Sequence, residues 1–235
     1  MAKKERAPFK EIFGWAMFDF ANSSYTTVII TVVFSVLFPR VIVGDGPDFK
    51  MGNWYWTVAL SISYFLIAFA APVLGAIMDF SASKKKFLMA SYLLTVVATS
   101  ALYFVTPGAI VVGIILVVIS NFGFSAGESF VSSFLPELGP QEELGKISGF
   151  AWGLGYFGGI ASTGLVLALL GSQTVENFEL QRFVGPITGL FFLVAGIPTF
   201  LLLKERGVAR KLSPGQSYWS VGFGRLKETF ADLKS

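Results

Sequence analysis

Long apolar stretches alternate with short polar segments along the whole chain. Six of these stretches are roughly 19 to 27 residues long, and about 20 residues cross a ~30 Å hydrocarbon core as a helix. The pattern predicts an all-α membrane protein with six transmembrane helices embedded in a lipid bilayer. The predicted spans 1 to 6 are Ile12–Phe38, Trp54–Met78, Phe87–Val105, Ala109–Phe134, Ile147–Gly171 and Val184–Leu203.

Basic residues cluster on one side of these spans. All of the 18 lysines and arginines fall before span 1 or after spans 2, 4 and 6, except Arg40, Lys50 and Arg182. Because basic segments stay on the cytoplasmic side, both termini are expected in the cytoplasm. The short loops favour an inner cell membrane as the location. The net charge of +3 is explained by these flanks, so no nucleic-acid partner is expected.

Two regions follow from this pattern: a bundle at residues 1–203 and a cytoplasmic tail at residues 204–235. In the tail, Phe223, Leu226, Phe230 and Leu233 recur at helical spacing opposite charged residues. This spacing predicts a short amphipathic helix on the inner leaflet. A disordered tail with chance periodicity is the alternative.

Composition narrows the chemistry further. Hydrophobic residues make up 54% of the chain, and neither cysteine nor histidine occurs. Disulfides, thiolate nucleophiles and the usual zinc sites are therefore excluded or very unfavourable. No nucleotide or cofactor motif is visible, so we expect no metal, no cofactor and no enzymatic activity.

Spans 1 and 4 each carry a polar stripe that contains an acid. A charged side chain at mid-bilayer costs about 2.5–3.5 kcal/mol on insertion scales, and each stripe falls on one helical face. We expect them to line a wet path that binds a proton, a cation or a substrate amine. Alternatively, the acids pair with Lys84–Lys86 or cap helix ends. The stripes are Asp19, Asn22, Ser23 and Thr26 on span 1, and Asn121, Ser125, Glu128 and Ser132 on span 4.

Span 5 is rich in glycine. Gly149 with Gly153, and Gly155 with Gly159, are pairs of small residues four apart, which let another backbone approach closely. Close packing within the chain is the simpler interpretation. A surface that slides during transport is the alternative.

The segment after span 2 resembles the signature of the major facilitator superfamily. Gly75, Asp79 and Lys84 match its glycine, its aspartate and its basic turn, and the resemblance implies a gating loop. The sequence departs from that signature at Phe80, Ala82 and Ser83, where the family usually has a basic residue, glycine and arginine.

Three other segments resemble the vacuole-effluxer-like branch of that superfamily: Trp15–Ser23, Phe134–Leu138 and Ser148–Gly159. The resemblance implies a secondary transporter, and amino-acid efflux is associated with fungal members of that branch. Superfamily transporters normally have two six-span halves around one cavity, with spans 1 and 4 facing it. This chain resembles the N-terminal six-helix half, and its polar stripes fall on those two spans.

The function expected is that of a transporter half which moves a small solute by alternating access, as a homodimer or with a second six-span half. The solute would be an amino acid or an amine, coupled to a proton or another cation. One alternative is a non-transporting membrane partner, such as an assembly or regulatory subunit. Another is a truncated product of a twelve-span transporter.

Overall fold

The structure is a computed structural model that describes residues 5–171, 177–207, 217, 220 and 222–224, without the side chain of Asp79. It contains six helical spans long and apolar enough to cross a membrane, so the predicted fold class is confirmed. Within the described residues there is no strand. The spans are Phe9–Val43, Lys50–Met78, Lys84–Phe104, Ile110–Glu137, Gln141–Leu170 and Phe178–Leu202.

The individual helices have the following bounds. The α-helices are Phe9–Ser24, Phe34–Leu37, Lys50–Ser81, Lys84–Ala101, Ile110–Ser132, Gln141–Leu170, Phe178–Gln181 and Val184–Leu202. Wider π-helical turns form Tyr25–Val32 and Phe38–Val43, and short 3-10 turns form Leu102–Phe104 and Leu135–Glu137. Span 1 therefore changes its winding near the middle of its length, and such changes often accompany functional sites.

Several span boundaries differ from the prediction by three to six residues, and two of these differences have a clear local cause. Span 1 continues past Phe38, because Pro39 takes an early position in a helical turn, where its missing N–H is not needed. It ends at Gly44, whose φ of 62° is left-handed. Span 5 begins at Gln141 rather than Ile147, after Pro140 and with Glu142 and Glu143 in its first turn. These acids favour the positive end of the helix dipole, so the polar start is still helical.

The spans pack as an open arc in the order 5, 1, 6, 3, 4, 2, and span 2 also touches the outer end of span 1. The backbones of spans 1 and 4 approach each other at few points, and side chains join the two spans instead, for example the Trp15 indole, which donates to the carbonyl of Val131 at 2.8 Å. Two apolar clusters hold the arc together. The inner cluster surrounds Phe18, Tyr92 and Phe192, and the outer cluster surrounds Tyr25 and Phe38.

Glycines set the close contact between spans 1 and 5. A Cβ atom on Gly158 would lie 2.1 Å from the carbonyl oxygen of Phe20. Gly155 and Gly159 face span 1 in the same way, so close packing within the chain is confirmed for that pair. By contrast, a Cβ atom on Gly149 or Gly153 would meet nothing within 4 Å.

Ion pairs connect different segments of the chain at the inner end of the bundle. Glu11 is only 1% exposed, and the Arg206 guanidinium donates to both of its carboxylate oxygens at 2.6 and 2.7 Å. These hydrogen bonds raise the pKa of Arg206. The Lys84 ammonium donates to Glu137 at 2.7 Å. Charge pairs thus tie span 3 to span 4, and the segment after span 6 to span 1.

The predicted amphipathic helix of the tail falls mainly outside the described residues. Leu226, Phe230 and Leu233 lie outside them. Phe223 is described and exposed, and the neighbouring Gly222 packs against Val73 of span 2. The division at residue 203 and the interfacial helix therefore remain predictions.

Candidate functional site

A cavity of about 700 Å³ opens between spans 1, 4 and 5. Span 1 contributes its polar face, span 4 contributes an acid, and span 5 contributes aromatic and small residues. Its lining residues are Asp19, Ser23, Thr26, Thr27, Glu128, Trp152, Gly155, Tyr156, Gly159, Ile160, Thr163 and Gly164. Every one of these side chains is neutral or acidic, so the cavity favours positively charged ligands.

A second pocket of about 390 Å³ shares Asp19, Glu128 and Trp152 with the cavity. It extends toward the inner end of the bundle, where Trp15 and Leu135 line it. The two spaces together form a groove along the open side of the arc. The two acids lie where these spaces meet, so both spaces share the same charged region.

Local hydrogen bonds explain how span 1 tolerates its polar face. The Ser23 hydroxyl donates to the carbonyl of Asp19 at 2.9 Å, and the Thr26 hydroxyl donates to the carbonyl of Ser23 at 3.2 Å. Such bonds to the preceding turn satisfy the hydroxyl protons inside the helix. The hydroxyl oxygens keep lone pairs that can accept a hydrogen bond from a ligand.

The two acids lie near each other. The Asn22 side chain donates from Nδ2 to Oε1 of Glu128 at 3.2 Å, and Asp19 is close enough to Glu128 to repel it. Among the described residues, neither carboxylate forms an ion pair with a basic side chain. Neither acid therefore has a counter-charge among the described residues, so a bound proton or cation would be its partner.

The alternative in which these acids pair with the lysine cluster disagrees with the structure. The Lys84 ammonium is bound by Glu137 and by the carbonyl of Ser133. The Lys85 ammonium donates to the carbonyls of Phe200 and Leu203 at 2.8 Å each. Backbone carbonyls at the end of span 6 thus hold this lysine far from the cavity.

The structure places the predicted site residues of the two stripes in different positions relative to the cavity. Asp19, Ser23, Thr26 and Glu128 line the cavity, and Ser132 lines the second pocket. Asn22 lies behind the cavity wall, buried, and contacts Glu128.

Two span 4 residues of the predicted site lie elsewhere. Asn121 is fully buried and donates to the hydroxyl of Ser63 at 2.6 Å, in the contact between spans 2 and 4. Ser125 is partly buried, and its carbonyl accepts a hydrogen bond from Ser129. The stripe therefore turns away from the cavity toward its outer end.

The three residues of the predicted gating loop lie at the inner ends of spans 2 and 3. A Cβ atom on Gly75 would meet nothing within 4 Å, so space remains beside this glycine for another chain segment. Lys84 contacts Glu137. The backbone of Asp79 lies in the helix of span 2, and its side chain is outside the described part of the chain.

Sequence reasoning missed the span 5 wall of the cavity. Trp152 and Tyr156 are 68% and 63% exposed, and their rings pack edge to face with centroids 5.5 Å apart. Trp152, Tyr156 and Ile160 repeat every four residues, and this spacing was available in the sequence. The signal was hidden because aromatic residues are common throughout this chain, with 25 phenylalanines.

Comparison with known proteins identifies the family of this chain. Residues 53–235 match the family described as "Vacuole effluxer Atg22 like". The chain belongs to this family. The resemblance of the sequence motifs to the effluxer-like branch is therefore confirmed, and the chain is a multi-pass membrane protein.

Two curated proteins are similar to this chain. The chain is 30% identical over 198 residues to "Uncharacterized MFS-type transporter YxiO" of Bacillus subtilis (strain 168), which covers 83% of this chain and 46% of that protein. It is 27% identical over 233 residues to an "Uncharacterized protein" of Aquifex aeolicus (strain VF5), covering 97% of this chain and 52% of that protein. The effluxer-like chain thus spans about half the length of these curated relatives. No solved structure matched.

Proposed function

We propose that this chain forms one half of a secondary transporter, and that the cavity between spans 1, 4 and 5 holds the transported solute or its coupling ion. The observation that carries the proposal is the pair of acids, Asp19 and Glu128, on a cavity without a basic side chain. Membership of the effluxer-like family and the similarity to a protein named as an MFS-type transporter support it.

Electrostatics indicates what the cavity would bind. Two carboxylates that share a site repel each other, and a bound proton or cation relieves that repulsion. We therefore infer that a proton, another cation or the ammonium group of an amine or amino acid binds between Asp19 and Glu128. Alternate opening of the cavity to the two sides of the membrane would then couple binding to transport.

Exposed residues on the open side of the arc support the proposal that a second six-span unit packs there. Trp152 and Tyr156 would be covered by such a unit, and the exposed Gly149 and Gly153 permit a close helix approach. The curated relatives are about twice as long, which fits a partner of similar size. The partner is either a second copy of this chain or a separate half, related by an axis along the membrane normal.

Transport can be tested with the purified chain in proteoliposomes. Uptake of radiolabelled amines and amino acids is measured with and without an imposed proton gradient. Asp19→Asn and Glu128→Gln are expected to abolish uptake, because each removes a negative charge from the cavity. Glu142→Gln, an exposed acid outside the cavity, is the matched control and should retain it. Uptake that survives both cavity substitutions contradicts the proposal.

Native mass spectrometry after gentle extraction tests the second unit. A homodimer, or a complex with another six-span chain, supports the proposed assembly. A dominant complex with an unrelated membrane protein favours the alternative of a non-transporting assembly or regulatory subunit and contradicts the proposal of a transporter half.

We also propose that both termini lie in the cytoplasm of a cell with an inner membrane. Lys84 and Arg206 lie at one end of the bundle, whereas Arg182 lies at the other, beside the carbonyl of Tyr103. The chain has no cysteine, so single cysteines report orientation cleanly. A membrane-impermeant maleimide added to intact cells should label Asp48→Cys and leave Lys146→Cys unlabelled. The reverse pattern contradicts the orientation.

A further inference from the structure

A groove of about 630 Å³ lies between the inner ends of spans 3 and 6, on the surface away from the cavity. Its lining residues are Lys85, Lys86, Met89, Ala90, Leu93 and Phe200. None of them lines the spaces between spans 1, 4 and 5. Both walls of this groove belong to this chain, so its occupant needs no second half.

The packing of spans 3 and 6 explains why the groove forms. Farther from the inner end, glycines bring the two helices together: a Cβ atom on Gly185 would lie 2.3 Å from the carbonyl oxygen of Thr99. Gly196 lies against the ring of Tyr92. One turn later span 6 carries Phe200, whose ring packs at 4.9 Å from that of Tyr92. Because the Phe200 ring is bulky where the earlier contacts involve glycine, it keeps the two helices from packing as closely here, and a groove remains between them.

The groove is basic at one end and apolar along the rest. Lys85 and Lys86 stand at the start of span 3, and Met89, Ala90 and Leu93 follow on the next two turns toward the bilayer centre. The Lys85 ammonium is held by two carbonyls of span 6, which fixes its charge at the groove edge. Lys86 is exposed and forms no ion pair within the described residues.

The acidic groups near the inner end of the groove do not cancel the positive charge of its lysines. Glu205 accepts hydrogen bonds from the backbone N–H groups of Lys84 and Lys85, and Glu137 binds the Lys84 ammonium. Within the described residues, no carboxylate forms an ion pair with the ammonium group of Lys85 or of Lys86. The inner end of the groove attracts an anion at the level where lipid headgroups lie.

We propose that this groove binds an anionic phospholipid of the inner leaflet. Its phosphate contacts the Lys85 and Lys86 ammonium groups, and one acyl chain lies along Met89, Leu93 and Phe200. The order of charged and apolar residues along span 3 matches the order of headgroup and chain in a lipid. Basic pockets between transmembrane helices on the cytoplasmic side are suited to anionic headgroups.

The test is native mass spectrometry of the purified full chain, titrated with phosphatidylglycerol or with phosphatidylcholine of identical acyl chains. Phosphatidylglycerol is expected to bind more tightly. Lys86→Gln should weaken that binding about fivefold, since one lysine near the surface contributes ~1 kcal/mol of attraction to anionic lipid. Lys146→Gln removes an exposed lysine from the same side of the membrane and should change binding less than twofold.

A second variant separates a lipid from a free anion. Ala90→Phe fills the groove without changing its charge, and Ala90 is exposed, so the fold should tolerate it. Loss of phosphatidylglycerol binding in this variant supports the acyl-chain contact. The proposal is overturned if the two lipids bind equally, or if Lys86→Gln and Ala90→Phe both bind like the parent chain. It is also overturned if inorganic phosphate displaces the lipid and binds Ala90→Phe undiminished.

Discussion

Asn22 donates a hydrogen bond of 3.2 Å to Glu128, which joins span 1 to span 4 over a separation of 106 residues. Asn22 is 2% exposed, so the surrounding helix packing fixes its amide. The bond holds the acid of span 4 beside Asp19 of span 1. A buried amide thereby positions a carboxylate that lines the cavity, and this bond adds to other contacts between spans 1 and 4, such as that of the Tyr25 hydroxyl with the Ser120 hydroxyl at 2.8 Å.

Replacing Asn22 by leucine should weaken solute binding while the acids remain. Asn22→Leu keeps the branched shape and the number of heavy atoms of the side chain but cannot donate to Glu128, so the carboxylate loses its fixed position. A hydrogen bond to a charged group contributes about 1.5–3 kcal/mol. The apparent affinity for a cationic solute in proteoliposome uptake should fall by about tenfold, equivalent to ~1.4 kcal/mol.

Asn121→Leu is the matched control for this substitution. Asn121 belongs to the same predicted stripe, but its amide contacts Ser63 on the far side of span 4. The Ser63 hydroxyl also donates to the carbonyl of Leu60, so it remains satisfied without Asn121. We expect a loss of roughly 1 kcal/mol of stability with an unchanged affinity. An affinity loss equal to that of Asn22→Leu would show that Asn121 serves the ligand after all.

The aromatic wall of span 5 gives a second prediction. Trp152 lines the cavity and also the second pocket beside both acids. An ammonium group over an indole face gains about 0.5–1 kcal/mol at exposed sites and more when desolvated. Trp152→Leu should therefore weaken the binding of an organic ammonium solute about threefold to fivefold, and Trp152→Phe should restore part of the loss. The measurement is competition against uptake of the labelled solute.

Phe157→Leu provides the control on the same helix. Phe157 is 69% exposed, much like Trp152, but it lines neither of the two spaces at the acids. Its replacement should leave affinity unchanged. An equal effect of Phe157→Leu would mean that the aromatic surface acts through packing with the second unit instead of through contact with the solute.

The site could be predicted from the sequence only where chemistry and periodicity coincide. Asp19 and Glu128 stood out because an acid inside an apolar span is costly, and helical spacing linked each to other polar residues. Periodicity alone could not show that the face of span 4 turns outward between Glu128 and Asn121. That turn depends on which neighbouring helix packs there, and span 2 provides Ser63 as the partner.

Contacts between segments that are distant in the sequence could not be predicted for a similar reason. Glu11 lies among the charged residues before the predicted start of span 1, where a solvated side chain is the usual expectation. Its partner Arg206 is 195 residues away, and only the packing of span 6 against span 1 brings them together. The span count, by contrast, depends on hydrophobic length alone and needs no knowledge of packing.

The contact between spans 1 and 5 predicts opposite effects for two glycines of one helix. Gly158→Ala would place a methyl group 2.1 Å from the backbone oxygen of Phe20, so the two helices must separate. We expect a loss of about 3 kcal/mol, at the upper end for overpacking. Gly153→Ala meets nothing within 4 Å and should be neutral or stabilise the helix by less than ~1 kcal/mol.

Thermal unfolding of both variants in the same detergent checks this prediction. The midpoint should fall clearly for Gly158→Ala and stay level or rise for Gly153→Ala. Equal midpoints would mean that spans 1 and 5 are not in close contact at Phe20. If only Gly153→Ala impairs transport, that loss indicates that Gly153 faces the second unit.

The Glu11–Arg206 pair should stabilise the inner end of the bundle. Arg206→Met removes the guanidinium that binds Glu11 through two hydrogen bonds, and it leaves a carboxylate that is only 1% exposed without its counter-charge. Removing one partner of a buried pair typically costs about 3–5 kcal/mol of stability. Because Arg206 itself is 39% exposed, we expect the free energy of unfolding to fall by ~3 kcal/mol.

Glu11→Gln should partly rescue the stability of Arg206→Met, because it removes the uncompensated charge. Arg6→Met is the control, since Arg6 is exposed, Glu143 is partly exposed, and their ion pair is longer at 3.4 Å. This pair should contribute less than ~1 kcal/mol. Unfolding midpoints that fall equally for Arg6→Met and Arg206→Met would refute a special role for the buried pair.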